Sequence, residues 1–128
     1  MNTVLVVEPG RVPYVKEIDS GLKSLQSEVG GWIEAIYPFE EEVALICNEE
    51  GKLSDLPLNR ALMDSDGEIY DIIAGTFLVV GLGEENFCSL SDEYIKKFSD
   101  RFKTPEKFAE IDGKLIVIRI ESEDGESI

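Results

Sequence analysis

The sequence predicts an α+β fold: one domain with a mixed or mostly antiparallel sheet of about six strands and two to three helices over it. Three observations predict it. The chain has 128 residues and is 43% hydrophobic, enough for one domain with a real core. Short apolar, β-branched runs bounded by turn residues recur along its length. Helical spacing interrupts them in only two or three places, so strands and helices come in mixed order.

Thr3 to Val7 is a continuous apolar run, read as a buried strand and closed by Pro9-Gly10. Val12 to Ile18 is a second extended stretch. Val12, Tyr14 and Lys16 share one face, and Pro13 favours an edge position. Asp19-Ser20 offers an N-cap to a short amphipathic helix built on Leu22, Leu25 and Val29, and Gly30-Gly31 stops it. Trp32 to Phe39, the acidic turn Glu40-Glu41-Glu42 and Val43 to Cys47 make a hairpin. Residues 48–68 read as mostly irregular. Ile72 to Val80 is the strongest strand, ended by Gly81-Leu-Gly83.

Ser89 or Ser91 caps a second helix, with Leu90, Tyr94, Ile95, Phe98 and Phe102 on one face. Asp92 and Lys96, and Glu93 and Lys97, are i,i+4 pairs in the favourable order. Thr104-Pro105 opens a short helical or irregular segment. Asp112-Gly113 turns the chain into a last strand, Lys114 to Ile120. The domain spans residues 1–120, and residues 121–128 read as a frayed acidic tail. No internal repeat or low-complexity segment is present.

Charge bounds the partners. Twelve Lys+Arg stand against 27 Asp+Glu, for a net charge of −15. Such a chain is repelled by nucleic acid and by anionic membrane surfaces, and attracted to basic proteins or cations. The N-terminus reads as a strand rather than a signal peptide, and no apolar run approaches the ~20 residues that span a bilayer. With two cysteines and no export signal, the expected location is the cytoplasm.

The same composition narrows the chemistry. There is no histidine, which excludes histidine triads and histidine-containing zinc sites. Cys47 and Cys88 are too few for an all-cysteine zinc site, and their apolar flanks read as structural thiols. The run Asp64-Ser-Asp66-Gly67-Glu68 resembles a calcium loop only superficially, because its glycine falls at position four of the loop and position twelve is Gly75. Gly81-Leu-Gly83-Glu84-Glu85-Asn86 lacks the third glycine of a dinucleotide loop and sets carboxylates where phosphate would sit. No cofactor or metal is implied, and the protein is expected not to be an enzyme.

Two groups of residues are candidates for binding. The segment from Asn48 to Arg60 crowds amides and charges into a loop that Leu53, Leu56, Pro57 and Leu58 hold against the body. Asn48, Lys52, Asn59 and Arg60 would there receive an anionic, nucleotide-like ligand, with Arg60 as a planar fork. The alternative is that the two asparagines satisfy turn backbone and that Lys52 and Arg60 pair with acids. The second group, Glu40, Glu41, Glu42, Asp64, Asp66 and Glu68, would face a basic partner; the alternative is simple solvation.

Several motifs occur together: Glu8-Pro-Gly10, Gly30-Gly31 before an aromatic strand, Asn48-Glu-Glu-Gly-Lys-Leu53, Leu56-Pro-Leu-Asn-Arg60 and Ile73-Ala-Gly-Thr-Phe77. In these the chain resembles the domain-of-unknown-function 3846 family over residues 3–102. The resemblance implies a phage or mobile-element setting in Gram-positive bacteria and carries over no catalytic residue.

The leading expectation is therefore a non-enzymatic acidic interaction protein, an inhibitor that binds a basic, nucleic-acid-binding host protein as a nucleic-acid mimic. The small-ligand module is the alternative. A domain of this length is roughly 35 Å across. A duplex that long holds about 20 phosphates, about half of them on one face. Fifteen net charges suffice if they segregate to one side.

Overall fold

A computed structural model describes residues 1–119. The acidic tail and the end of the last predicted strand lie outside the described residues. The elements run β1 (Asn2–Val7), β2 (Tyr14–Ile18), α1 (Leu22–Val29), β3 (Ile33–Ile36), β4 (Val43–Asn48), β5 (Leu58–Met63), β6 (Ile69–Ala74), β7 (Phe77–Leu82), β8 (Phe87–Cys88), α2 (Asp92–Arg101), β9 (Glu106–Ile111) and β10 (Lys114–Arg119).

The main sheet has the order β2-β1-β7-β4-β3, and short β8 also pairs with β7. Every pairing is antiparallel. β7 is central, and its first four residues are essentially inaccessible to solvent, which is why Phe77-Leu-Val-Val80 reads as an unbroken apolar run. β8 lies across Gly81 so closely that a Cβ there would come 2.5 Å from the Ser89 carbonyl oxygen. Two further hairpins, β5–β6 and β9–β10, complete the fold.

Strand alternation divides the core between the two faces of the sheet. One face presents Val4, Val6, Ala44, Ile46, Leu78 and Val80 to α1, which contributes Leu25 and Val29. The other presents Leu5, Val7, Val43, Leu45, Phe77 and Val79 to α2 and the β5–β6 hairpin. Aromatic rings dominate the second face. Phe39 and Phe98 lie 5.0 Å apart, and Phe77 and Phe102 meet edge to face at 5.2 Å. Burying each such side chain stabilises the fold by roughly 1.5–3 kcal/mol.

The α+β class, the edge position of β2, the β3–β4 hairpin and the helix stop at Gly30 agree with the sequence reading. Four local expectations are corrected. Residue 21, a glycine without a capping side chain, stands at the α1 N-cap, not Asp19 or Ser20. Residues 58–63 form β5 rather than an irregular segment. The run Ile72 to Val80 is two strands, because Gly75 turns the chain at φ +82° between β6 and β7. Residues 106–111 are β9, neither helix nor loop.

Candidate functional site

The four residues expected to share a ligand pocket do not share one. Asn59 and Arg60 are in the interior, at 0% and 1% exposure. Alternation would put neighbouring side chains of a strand on opposite faces. A register shift between Leu58 and Arg60 breaks that alternation and lets both point inward. The Asn59 amide donates to the carbonyls of Val7 at 2.9 Å and Gly75 at 2.8 Å. Its oxygen accepts from Arg60 Nη1 at 2.8 Å. The Arg60 guanidinium also donates to the carbonyls of Phe102, Arg11 and Asn59.

This is a clamp on the backbone. Burial pushes the Arg60 pKa down, and the nearby Glu106 carboxylate opposes the shift. Glu106, itself buried, accepts from the Ala61 N–H at 2.9 Å and pairs with Arg119 at 3.6 Å.

Asn48 is also occupied with structure. Its amide donates to the Val29 carbonyl at the end of α1 and its oxygen accepts from Glu50 N–H. Lys52 is exposed and pairs with Asp71 at 2.6 Å. Asn48 and Lys52 border a hollow of about 260 Å³ that neither Asn59 nor Arg60 reaches. Cys47 lies at its floor and donates to the Glu34 carbonyl at 3.6 Å, and burial pushes its thiol up to about 11. A thiol so protonated is a poor nucleophile at neutral pH.

A larger hollow, about 550 Å³, opens beside α1. Ile18, Leu25, Val80 and Phe87 line it, with Asn2, Asp19, Asn86 and Cys88 also on its wall. Among the described residues no group of three His, Cys, Asp or Glu side chains is arranged to hold a metal ion.

The second candidate group divides differently. β1 and β4 begin at the same end of the main sheet at which β2, β3 and β7 finish. α2 starts there too, since Leu90 N–H donates to the Thr3 carbonyl and Ser89 Oγ accepts from Thr3 N–H. The connections at this end are residues 19–21, 37–42, 83–86 and 89–91. They carry Asp19, Glu40, Glu41, Glu42, Glu84 and Glu85 and no cation. A backbone bond from Leu82 N–H to the Glu42 carbonyl ties the two most acidic connections together.

The connections at the opposite end, residues 8–13, 30–32, 49–57, 75–76 and 102–105, mix signs: Glu8, Glu49, Glu50 and Asp55 against Arg11, Lys52 and Lys103. Exposed Asp92 and Glu93 in the first turn of α2 extend the acidic end, where they also suit the helix dipole. Lys97 pairs with Glu41, which holds the Glu41 carboxyl below its usual range.

Asp64, Asp66 and Glu68 stand apart, on the tip of the β5–β6 hairpin. The Asp64 carboxylate is bound inside that turn by the N–H groups of Asp66 and Glu68, both at 2.9 Å. Strand order therefore sets Glu40–Glu42 beside Glu84 and Glu85, the carboxylates of the Gly81–Asn86 loop, and not beside Asp64, Asp66 and Glu68.

The family described as Domain of unknown function (DUF3846) matches residues 1–103, and the chain belongs to it. The matched region takes in the whole main sheet, both helices and the β5–β6 hairpin, and stops before β9. No curated protein and no solved structure matches the chain.

Proposed function

We propose that this DUF3846 protein is a non-enzymatic interaction protein that docks a basic, nucleic-acid-binding protein against the acidic end of its main sheet. The observation that carries this reading is the segregation of charge: one end of the sheet bears only carboxylates on its connections, while the other mixes signs. Glu40, Glu42, Glu84 and Glu85 are exposed and free to meet lysine or arginine side chains. In the phage or mobile-element setting that the family resemblance implies, the partner is a host protein in the cytoplasm and the outcome is inhibition by occupation of its nucleic-acid site. The anionic-ligand alternative keeps only Lys52, which is exposed but pairs with Asp71, since Arg60 is spent on carbonyls.

Capture from host lysate with a salt-gradient elution tests the reading. The expected result is a nucleic-acid-binding protein that releases at moderate salt and is displaced by duplex DNA. Glu84→Lys with Glu85→Lys should abolish that capture, while Asp66→Lys on the separate hairpin should leave it intact. Equal capture by all three proteins would sink the proposal.

A further inference from the structure

The β9–β10 hairpin follows the family-matched region and, among the described residues, forms a sheet of its own. Its charges cancel, with Glu106, Glu110 and Asp112 against Lys107, Lys114 and Arg119. In a chain of net charge −15 it is therefore a segment that a second copy repels least. β9 is the strand packed on β5, and the outer edge of β10 has no partner among the described residues. That edge is six residues long and apolar at its centre, with Leu115 44%, Ile116 38% and Ile118 50% exposed. Unpaired edges of this kind template strand addition.

We propose that β10 pairs antiparallel with β10 of a second copy of this chain, with Val117 on the two-fold axis. The axis follows from parity. A two-fold axis perpendicular to the sheet keeps each side chain on its own face, so only residues an even number apart stand opposite one another. This excludes the register that would set Lys114 against Arg119.

Two central registers remain. With Ile116 on the axis, Lys114 of one copy stands beside Ile118 of the other, whose β9 neighbour is Lys107, so two ammonium groups share a row. With Val117 on the axis, Ile116 faces Ile118 twice, giving four isoleucines around the centre. Arg119 then faces Leu115 of the second copy, whose β9 neighbour is Glu110, an opposite charge within reach across the row. Charge selects the second register.

The test uses the full chain. Sedimentation velocity over a concentration series should show a reversible dimer. Ile116→Lys with Ile118→Lys, both at side chains exposed in the hairpin, should give a monomer with an unchanged circular dichroism spectrum. In a Cys88→Ala background, Val117→Cys should form a disulfide-linked dimer on mild oxidation and Ile116→Cys should not. A wild-type protein that stays monomeric throughout the series overturns the proposal. So does a dimer that survives the double lysine change, and a crosslink through Ile116→Cys rather than Val117→Cys overturns the axis. The double lysine variant should still capture the basic partner, so the two proposals fail separately.

Discussion

The side-chain oxygen of Asn59 accepts a hydrogen bond at 2.8 Å from Nη1 of Arg60, its neighbour in sequence. Two adjacent polar side chains thus meet inside the protein. The bulge in β5 makes this geometrically allowed, and the ring of backbone carbonyls around them makes it energetically allowed. What looked in the sequence like a ligand fork is the bolt joining β1, the β6–β7 corner and the end of α2.

Removing that bolt should be costly. Arg60→Ala strands the carbonyls of Arg11 and Phe102 and leaves a buried void, and it is expected to lower unfolding free energy by about 3–5 kcal/mol. Arg60→Lys should recover less than half of the loss, because an ammonium has three donors on a single centre and cannot span the same acceptors. Urea denaturation midpoints measure both. A loss below about 1 kcal/mol for Arg60→Ala would contradict the structural role.

Gly75 makes the corner between β6 and β7. Its φ is +82°, and a Cβ there would come 2.8 Å from Leu56 Cδ1. Gly75→Ala should cost about 1–3 kcal/mol from backbone strain and overlap together. Adding Leu56→Ala should relieve the overlap but not the strain, so the double variant should be more stable than additivity predicts. Strict additivity of the two changes would mean that the contact is absent in solution.

Tyr14 donates its hydroxyl proton to Glu8 Oε2 at 2.7 Å. This bond, then burial and the charges of Glu8 and Glu28, push its pKa up to about 12, against a smaller opposing effect of Arg11. The folded value lies above the unfolded value of about 10, so the folded state holds this proton more tightly. Its stabilisation is fully present below about pH 10 and is lost as pH rises through the folded value. Absorbance titration of wild type against Tyr14→Phe isolates this ring from the other tyrosines. Glu8→Gln should bring the transition back toward the ordinary range; a wild-type transition already there would show that the bond is not held.

Much of the fold is legible in the sequence where one periodicity rules. β1 is a β-branched run, α2 carries its apolar face at helical spacing behind the Ser91 cap, and Asp112-Gly113 marks a hairpin turn. The misses have physical causes. β5 hides because its bulge breaks the alternation and two of its buried residues are polar. The β6–β7 corner hides because residues on both sides of it are buried, so an apolar run passes through the turn unmarked except by Gly75. Burial of Glu106 conceals β9 in the same way.

The candidate site was half legible. Glu40–Glu42 could be named from the turn they occupy. Glu84 and Glu85 could not be joined to them, because that neighbourhood exists only once β7 is placed between β1 and β4.

The span of the Arg60 clamp also sets an order of events at the ribosome. Its acceptors include Arg11, 49 residues before it, and Phe102, 42 residues after it. While the chain is still being synthesised, β1 through β5 can emerge, yet the guanidinium has no complete set of carbonyls until the end of α2 clears the exit tunnel. Until Phe102 is in place, β5 cannot close into the interior without leaving its guanidinium short of two hydrogen bonds, so burial of this strand is tied to the docking of the segment that ends α2.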